Sequence, residues 1–250
     1  MKKLLVIQNI EREGPGLFLK VAEQKGFLPE RYNLSLGDKL PNAKKEDLIL
    51  IMGGPMGVND IDNKKYFWLR QETEFIKSAI ENQISIIGVC LGAQLLAYIF
   101  GGKIKKLKDE TNKRNHPELG WSEISSINQE SVDDLSLWLK KPLKVLHWHG
   151  DRIILPPQAE LLASSFRCKE QFFKIGNLIY GLQFHVETEG FMTNDWIKHD
   201  KKFIISGLGE KGQEILKNQC KVYESSSYDA RVKFINKLIN NIFKHKKTSL

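Results

Sequence analysis

Nearly uninterrupted apolar runs alternate with amphipathic stretches along the first hundred residues of the chain. The run at residues 3–9 predicts a first β-strand, and the runs at 47–52 and 84–89 have the length and composition of buried β-strands, the former buried on both faces. Between them, apolar residues recur at helical spacing, most clearly at residues 66–81. Strands that alternate with helices in this way predict an α/β fold, with helices on both faces of a mostly parallel sheet.

The pattern changes after residue 102. Residues 103–128 are more polar and alternate, which predicts antiparallel strands appended at one edge of the sheet. Residues 131–140 predict a helix with Ser131 as its N-cap. The remaining predicted elements are helices at 16–25 and 91–100, and strands within 28–36 and at 145–148, 171–175 and 178–184. Neither an internal repeat nor a linker-like stretch occurs, so we expect one domain over residues 1–250.

Length and composition narrow the class of protein. A chain of 250 residues can bury roughly 70–75% of its unfolded surface, so it needs no disulfide or metal to fold. Apolar residues make up 41% and charged residues 27%, which excludes a disordered chain. Three cysteines argue against a disulfide framework and favour the reducing cytoplasm. No apolar run is long enough to span a membrane, and the N-terminus is typical of a strand rather than a signal peptide.

The net charge of +8 is concentrated near the C-terminus. Residues 231–247 hold six Lys or Arg and no acid, and their apolar residues recur at helical spacing. We expect a terminal helix that docks on the core by its apolar face and exposes its lysines to solvent. A nucleic-acid, membrane or protein surface is the alternative. Because no nucleic-acid-binding motif accompanies the charge, neither a nucleic acid nor a membrane is expected as a partner.

The sequence GVCLG at residues 88–92 lies between a predicted buried strand and a predicted helix. It has the form of a nucleophile elbow, in which a strained turn requires glycine two residues before and after the nucleophile. The turn places Cys90 at a helix N-terminus, where the dipole and free amides stabilise a thiolate. The alternative is a buried structural thiol, which is the interpretation we give to Cys168 and Cys220.

A cysteine nucleophile needs a base, and the base needs a group that orients it. His185 follows a predicted apolar strand and is two residues from Glu187. In an extended segment these two side chains face the same side. Cys90 and His185 both come just after a buried strand, so they are expected to meet in the crevice at one edge of the sheet. The alternative is a surface His–Glu pair.

Four blocks of sequence together resemble the class I glutamine amidotransferases, most closely the amidotransferase domain of GMP synthase and its stand-alone relatives. The blocks are GGPMG at 53–57, GVCLGAQ at 88–94, HWHGD at 147–151 and GLQFHVE at 181–187. The resemblance implies a flavodoxin-like mixed sheet, with a motif-bearing core at about 47–187 and a helical extension at about 188–250. Family members commonly have proline where this chain has Val186.

The resemblance also implies roles for individual residues. Cys90 would be the nucleophile, His185 the general base and acid, and Glu187 the residue that orients His185. The backbone amides of Gly54 and Leu91 would form the oxyanion hole. The residues that would contact the substrate are Gln94, Trp148, His149, Gly150 and Asp151.

The activity implied is hydrolysis of the γ-amide of glutamine through a Cys90 thioester, without a cofactor. The sequence has no phosphate-binding loop of a synthetase, so ammonia could pass to a separate synthetase chain. One alternative is a γ-glutamyl peptidase that acts on larger γ-glutamyl amides, and another is a non-catalytic binding module on the same fold. No metal is expected, because no further cysteine or histidine cluster lies near His147 and His149 in the sequence.

Overall fold

The computed structural model describes residues 2–128 and 134–248, and the side chains of these residues up to residue 244. Its centre is a nine-stranded mixed sheet in the order β2-β1-β3-β4-β11-β10-β9-β6-β7, and β5 and β8 form a separate antiparallel pair. The strands are β1 (Lys3–Gln8), β2 (Leu28–Asn33), β3 (Leu48–Ile51), β4 (Ser85–Val89), β5 (Lys103–Lys106), β6 (Glu118–Ser126), β7 (Leu143–His149), β8 (Asp151–Ile154), β9 (Ala159–Ser165), β10 (Phe172–Ile175) and β11 (Ile179–Leu182). The helices are α1 (Leu17–Gln24), α2 (Trp68–Glu81), α3 (Leu91–Ile99), α4 (Asp134–Trp138), α5 (Gly190–His199), α6 (Lys201–Leu208) and α7 (Gly212–Thr248).

The first five strands in this order are parallel, and the other four continue the sheet in antiparallel pairs. In the parallel part, Gly88 of β4 lies opposite Ile51 of β3 and Gly181 of β11. These three strands therefore end side by side at the carboxyl edge of the sheet. The residues that follow them enter one crevice, as expected for an α/β sheet.

Both faces of the sheet are covered, and this explains the uninterrupted apolar runs. Leu4 and Val6 of β1 belong to the core beneath α1 and α7, whereas Leu5 and Ile7 belong to the core beneath α2 and α3. Because successive side chains of a strand point to opposite faces, both sets must be apolar. The predicted α/β sheet and the strand and helix pattern of the first hundred residues are confirmed.

The second half agrees with the prediction only in part. The antiparallel strands predicted within residues 103–128 divide: β6 pairs with β7 and β9 at one side of the main sheet, whereas β5 pairs with β8 outside it. The strands β8 and β9 are additional to the prediction. The predicted N-cap of α4, Ser131, lies outside the described residues.

The C-terminal helix α7 is 37 residues long and begins well before the predicted basic segment. Its apolar residues Phe234, Leu238 and Ile242 are fully buried in the core against the sheet. The expectation that the basic segment docks by its apolar face is therefore confirmed. No described helix combines the length and the apolar character that crossing a membrane would require.

Candidate active site

Cys90 occupies the turn between β4 and α3 and has a strained backbone. Its φ of 51° and ψ of −105° are unusual for a residue with a side chain. Its N–H donates to the carbonyl oxygen of Leu182 at 2.7 Å, and its own carbonyl accepts from the N–H of Gln94 at 3.1 Å. These bonds fix the turn to the neighbouring strand β11 and to the first turn of α3. Backbone strain that the surroundings maintain in this way is typical of functional sites.

The two glycines that flank Cys90 are required by close backbone packing. A Cβ on Gly88 would lie 2.5 Å from the carbonyl carbon of Gly92, and a Cβ on Gly92 would collide with the backbone oxygen of Ile51. The helix α3 thus approaches β3 and β4 more closely than any side chain would permit. This confirms the steric reason for the two glycines and places Cys90 at the N-terminus of α3.

His185 and Glu187 form a buried pair beside Cys90. The Nδ1 of His185 lies 2.7 Å from Oε1 of Glu187, and both residues are buried. The backbone of His185 exchanges two hydrogen bonds with Leu146, which holds the segment extended after β11. A Cβ on Gly53 would lie 3.3 Å from the Cβ of Cys90 and 3.5 Å from Cε1 of His185, so these two side chains border the same small space. The side chains predicted to meet do so.

Electrostatics favour a charged imidazole at this position. Burial lowers the pKa of His185, but the Glu187 carboxylate and hydrogen bonds to Cys90 and Glu187 outweigh burial, and the pKa lies well above its ordinary value. A positively charged imidazole beside a cysteine stabilises the thiolate. The Trp196 ring meets His185 edge-on, with centroids 4.8 Å apart, and shields this pair from solvent.

A pocket of about 310 Å³ opens above Cys90. Its lining includes every residue predicted for the oxyanion hole and for substrate contacts: Gly54, Leu91, Gln94, Trp148, His149, Gly150 and Asp151. The side chain of Gln94 donates to Oε1 of Gln183 at 3.2 Å, and Nε2 of Gln183 lies 3.7 Å from the Cys90 sulfur. Gln94 therefore lines the pocket, and the fully buried Gln183 links it to the thiol from behind. Sequence reasoning missed Gln183, although it lies within the GLQFHVE block.

Of the lining residues that were not predicted, four come from two regions of the chain to which no site residue was assigned. Arg12 donates to Asp200 at 2.8 Å, and Asp200 also accepts from the indole N–H of Trp148 at 3.1 Å. Phe203 and Glu13 complete this side. Arg12 and Glu13 belong to the loop after β1, and Asp200 and Phe203 to the junction of α5 and α6. No local pattern in the sequence connects these two regions.

Beneath the pocket, His149 belongs to a buried polar network. Its Nδ1 lies 2.8 Å from the carbonyl oxygen of Asp151, so Nδ1 carries the hydrogen, and its Nε2 lies 3.2 Å from Oε2 of Glu118. Gln171 donates to Oε2 of Glu118 at 2.7 Å, and His147 lies 3.6 Å from that oxygen. Although burial raises the pKa of Glu118, the two histidines lower it to about 2, whereas burial lowers the pKa of His147 to about 4.

This network could also hold a cation. The ligand atoms of Glu118, His147 and His149 all lie within 4.8 Å of one another, and a carboxylate with two imidazoles is a ligand set that zinc accepts. The sequence prediction considered His147 and His149 but did not bring Glu118 near them. The register of β6 on β7, with Glu118 opposite His149, creates the cluster.

Arg231 of α7 is fully buried against the segment that carries His185 and Glu187. Its guanidinium donates to the backbone oxygens of Val186 at 3.1 Å and Thr188 at 2.6 Å, on either side of Glu187. Burial lowers the pKa of Arg231, and the nearby carboxylates, Glu187 among them, oppose this. One residue of the basic C-terminal segment therefore supports the candidate site, whereas the sequence prediction treated that segment only as a docking helix.

The surroundings of the two other cysteines disfavour a thiolate. Cys168 and Cys220 are both buried, and burial raises the pKa of each thiol, to about 12 for Cys168. Cys220 also accepts a hydrogen bond from the indole of Trp121. These surroundings agree with the structural role predicted for both.

Comparison with known proteins gives the family. The family model for class I glutamine amidotransferases matches residues 29–204. A glutamine amidotransferase-like protein of Salmonella typhimurium, YfeJ, is 29% identical over 201 residues, which are 80% of this chain and 81% of the relative. One subunit of the glutamine-hydrolyzing GMP synthase of Sulfolobus acidocaldarius is 31% identical over 189 residues, 74% of this chain and 81% of the relative.

Solved structures agree with the fold. A glutamine amidotransferase from Thermotoga maritima superimposes with a TM-score of 0.79 at 24% identity, over 96% of this chain and 97% of that one. A glutamine amidotransferase from Methylobacillus flagellatus superimposes with a TM-score of 0.78 at 23% identity, over 98% of this chain and 95% of that one. From the family model and the relatives, the chain belongs to the class I glutamine amidotransferase family.

Proposed function

We propose that the protein is a cysteine-dependent amidohydrolase that cleaves the γ-amide of glutamine and releases glutamate and ammonia. One observation carries the proposal: Cys90, on its strained turn, lies beside the buried His185–Glu187 pair at the base of a pocket. A nucleophile, a base and a group that orients the base are the minimum for covalent amide hydrolysis.

In the first half of the reaction, the Cys90 thiolate attacks the γ-carbonyl carbon and forms a C–S bond. The backbone N–H groups of Gly54 and Leu91 stabilise the oxyanion, since both residues lie at the pocket next to Cys90. Charged His185 then gives its proton to the amide nitrogen. The C–N bond breaks, ammonia leaves, and a γ-glutamyl thioester remains on Cys90.

In the second half, water replaces ammonia. Neutral His185 removes a proton from the water, whose oxygen attacks the thioester carbonyl. The C–S bond breaks, glutamate leaves, and the Cys90 thiolate and charged His185 are restored. Glu187 holds Nδ1 of His185 throughout, so that Nε2 faces the reacting atoms.

The remaining assignments belong to the same proposal. Gln94 and the segment from Trp148 to Asp151 would hold the amino-acid end of the substrate, because they line the pocket. Residues 1–250 would act as one catalytic domain, since α7 packs in the core and Arg231 supports the triad segment. Because relatives are named as part of GMP synthase, a separate synthetase chain is a candidate acceptor of the ammonia.

The test is glutamate release by the purified protein with glutamine as substrate. The wild-type protein and Cys168→Ala should both release glutamate, and Cys90→Ala should not. Cys168 is the matched control because its thiol is buried and its pKa is raised. Equal release by Cys90→Ala and the wild type would refute the assignment of Cys90. Absence of release by all three, with γ-glutamyl peptides also uncleaved, would favour the non-catalytic binding module.

A further inference from the structure

The loop between β1 and α1 places a carboxylate in the pocket that the proposed mechanism does not use. Glu13 is buried, with 9% of its surface exposed, and it lines the pocket together with Cys90. A Cβ on Gly53 would collide with Oε2 of Glu13 and would also contact Cys90 and His185. The absence of a side chain at residue 53 therefore leaves a small space that these three residues share.

Within the described part of the chain, Glu13 is also the charged residue of the lining that forms neither a hydrogen bond nor a salt bridge through its side chain. Arg12 pairs with Asp200 at 2.8 Å, and Lys106 pairs with Asp151 at 3.0 Å. Among the residues that the structure describes, none donates a hydrogen bond to the Glu13 carboxylate or forms a salt bridge with it. A buried carboxylate without a donor is costly, and one that points into a pocket is available to a ligand.

The position of Glu13 indicates which part of a substrate it would meet. Gln183 contacts the Cys90 sulfur and accepts a hydrogen bond from Gln94, which lines the pocket. A Cβ on Gly53, which would collide with Oε2 of Glu13, would also lie 3.5 Å from Cε1 of His185, the residue that would protonate the leaving nitrogen. That nitrogen must depart on the His185 side, next to the Glu13 carboxylate.

We propose that Glu13 forms the leaving-amine subsite and selects γ-glutamyl amides whose leaving group is ammonia or a positively charged amine. Its carboxylate accepts an N–H of the departing nitrogen, attracts a second ammonium group on that amine, and repels a carboxylate there. This proposal rests on the proposed function and deepens it. Within the peptidase alternative, it predicts that γ-glutamyl amides of cationic amines are better substrates than γ-glutamyl-amino acids.

The charge of Glu13 depends on pH. Burial raises the pKa of Glu13 to about 7, although His185 and Arg12 lower it, and Asp200 and Glu187 raise it further. The carboxyl group is therefore mostly neutral at pH 6 and mostly charged at pH 8. The preference for a cationic leaving group should grow over the same interval.

Three substrates of nearly equal size test the subsite: γ-glutamyl-ethylamide, γ-glutamyl-(2-aminoethyl)amide and γ-glutamylglycine, which are neutral, cationic and anionic beside the scissile bond. The measurement is kcat/KM at pH 6 and pH 8. At pH 8 the wild type should prefer the cationic to the anionic substrate by about tenfold or more, as expected for a nearby charge in a partly desolvated pocket. In Glu13→Gln this ratio should fall by about tenfold and lose its dependence on pH.

Two variants serve as controls. Glu11→Gln removes an exposed carboxylate from the same loop and should keep the wild-type ratio. Glu13→Asp keeps the charge and should retain part of the preference, which separates charge from a general folding defect. An unchanged ratio in Glu13→Gln would overturn the proposal, even if glutamine hydrolysis itself is normal.

If the wild type hydrolyses no γ-glutamyl amide, the proposed function is refuted, and a second measurement tests the role of Glu13 without substrate turnover. Cys90 can be modified by methanethiosulfonate reagents that carry either a trimethylammonium or a sulfonate group. The ratio of the cationic to the anionic rate should fall by about tenfold in Glu13→Gln and stay constant in Glu11→Gln. Equal ratios in Glu13→Gln and the wild type would refute the role of Glu13.

Discussion

Replacing Arg231 with methionine tests whether the C-terminal helix positions the catalytic pair. Methionine keeps much of the side-chain length but removes the guanidinium from its four acceptors. Two of these are the backbone oxygens of Val186 and Thr188, and the others are Ser227 Oγ at 3.0 Å and the Glu224 backbone oxygen at 3.1 Å. The substitution therefore releases both ends of the peptide segment that contains Glu187.

The magnitude follows from burial. A hydrogen bond to a charged group contributes about 1.5–3 kcal/mol, but the four bonds of Arg231 also offset the cost of burying its charge. Removal of one member of a buried charged network typically costs about 3–5 kcal/mol. We take about 3 kcal/mol for Arg231→Met, which for a chain of this length lowers Tm by about 6–12 °C.

Activity should also fall, because His185 depends on Glu187 for its orientation. We expect kcat for glutamine hydrolysis to decrease by about tenfold or more, with a smaller change in KM. Removing a positive charge near the pair should raise the pKa of His185, so the pH–rate profile should shift to higher pH. The assays are thermal unfolding and steady-state kinetics from pH 6 to 10.

Two variants make this result interpretable. Arg231→Lys keeps the charge with fewer donors and should recover part of the activity, whereas Lys233→Met changes an exposed residue of the same helix and should match the wild type. If Arg231→Met loses stability but keeps the wild-type kcat and pH profile, Arg231 is merely structural. Wild-type stability and activity together would refute the reasoning about its buried hydrogen bonds.

Three other outcomes are expected. Burial raises the pKa of Glu72 to about 8, so the native protein keeps a proton that the unfolded chain releases, and stability falls as pH rises from about 4.5 to 8. In denaturant unfolding, Glu72→Gln should therefore be more stable than the wild type by about 2–4 kcal/mol at pH 9 and by little at pH 5. Stability curves of the two proteins that run parallel over this pH range would contradict this. Gly88→Ala should abolish activity and lower the free energy of unfolding by about 3 kcal/mol or more, because its Cβ meets the backbone of α3. In Gly57→Ala the nearest atom is 4.0 Å from the added Cβ, so this control should keep the wild-type activity and stability. Iodoacetamide should label Cys90 before Cys168, as read by peptide mass spectrometry, and the reverse order would refute a reactive thiolate at Cys90.

The parallel half of the fold was predictable because burial on both faces leaves a strong signal. The runs that became β3 and β4 are almost wholly apolar, and both strands are fully buried. The strands β8 and β9 were missed because they are partly exposed and mix polar with apolar residues. The strand β8 pairs with β5, and β9 pairs with β6 as well as with the nearby β10; local periodicity does not reveal partners that are distant in the sequence.

Some residues of the candidate site were likewise predictable from the sequence, and others were not. Cys90 and His185 stand next to strong strand signals, so the rule that parallel strands end together predicts their meeting. Glu118 approaches His149 only through the register of β6 on β7, and Arg231 reaches Val186 only because α7 folds back across the sheet. Such residues are identified by three-dimensional contact and carry no local pattern of their own.

The most direct test of covalent catalysis is detection of the glutamyl thioester on Cys90. The wild-type protein is mixed with radiolabelled glutamine, quenched in acid within the first turnovers, and digested for peptide analysis. The proposed mechanism predicts label on the peptide that contains Cys90, its release by hydroxylamine, and its absence in Cys90→Ala. Glutamate release without label on Cys90, or label that persists in Cys90→Ala, would contradict covalent catalysis at this residue.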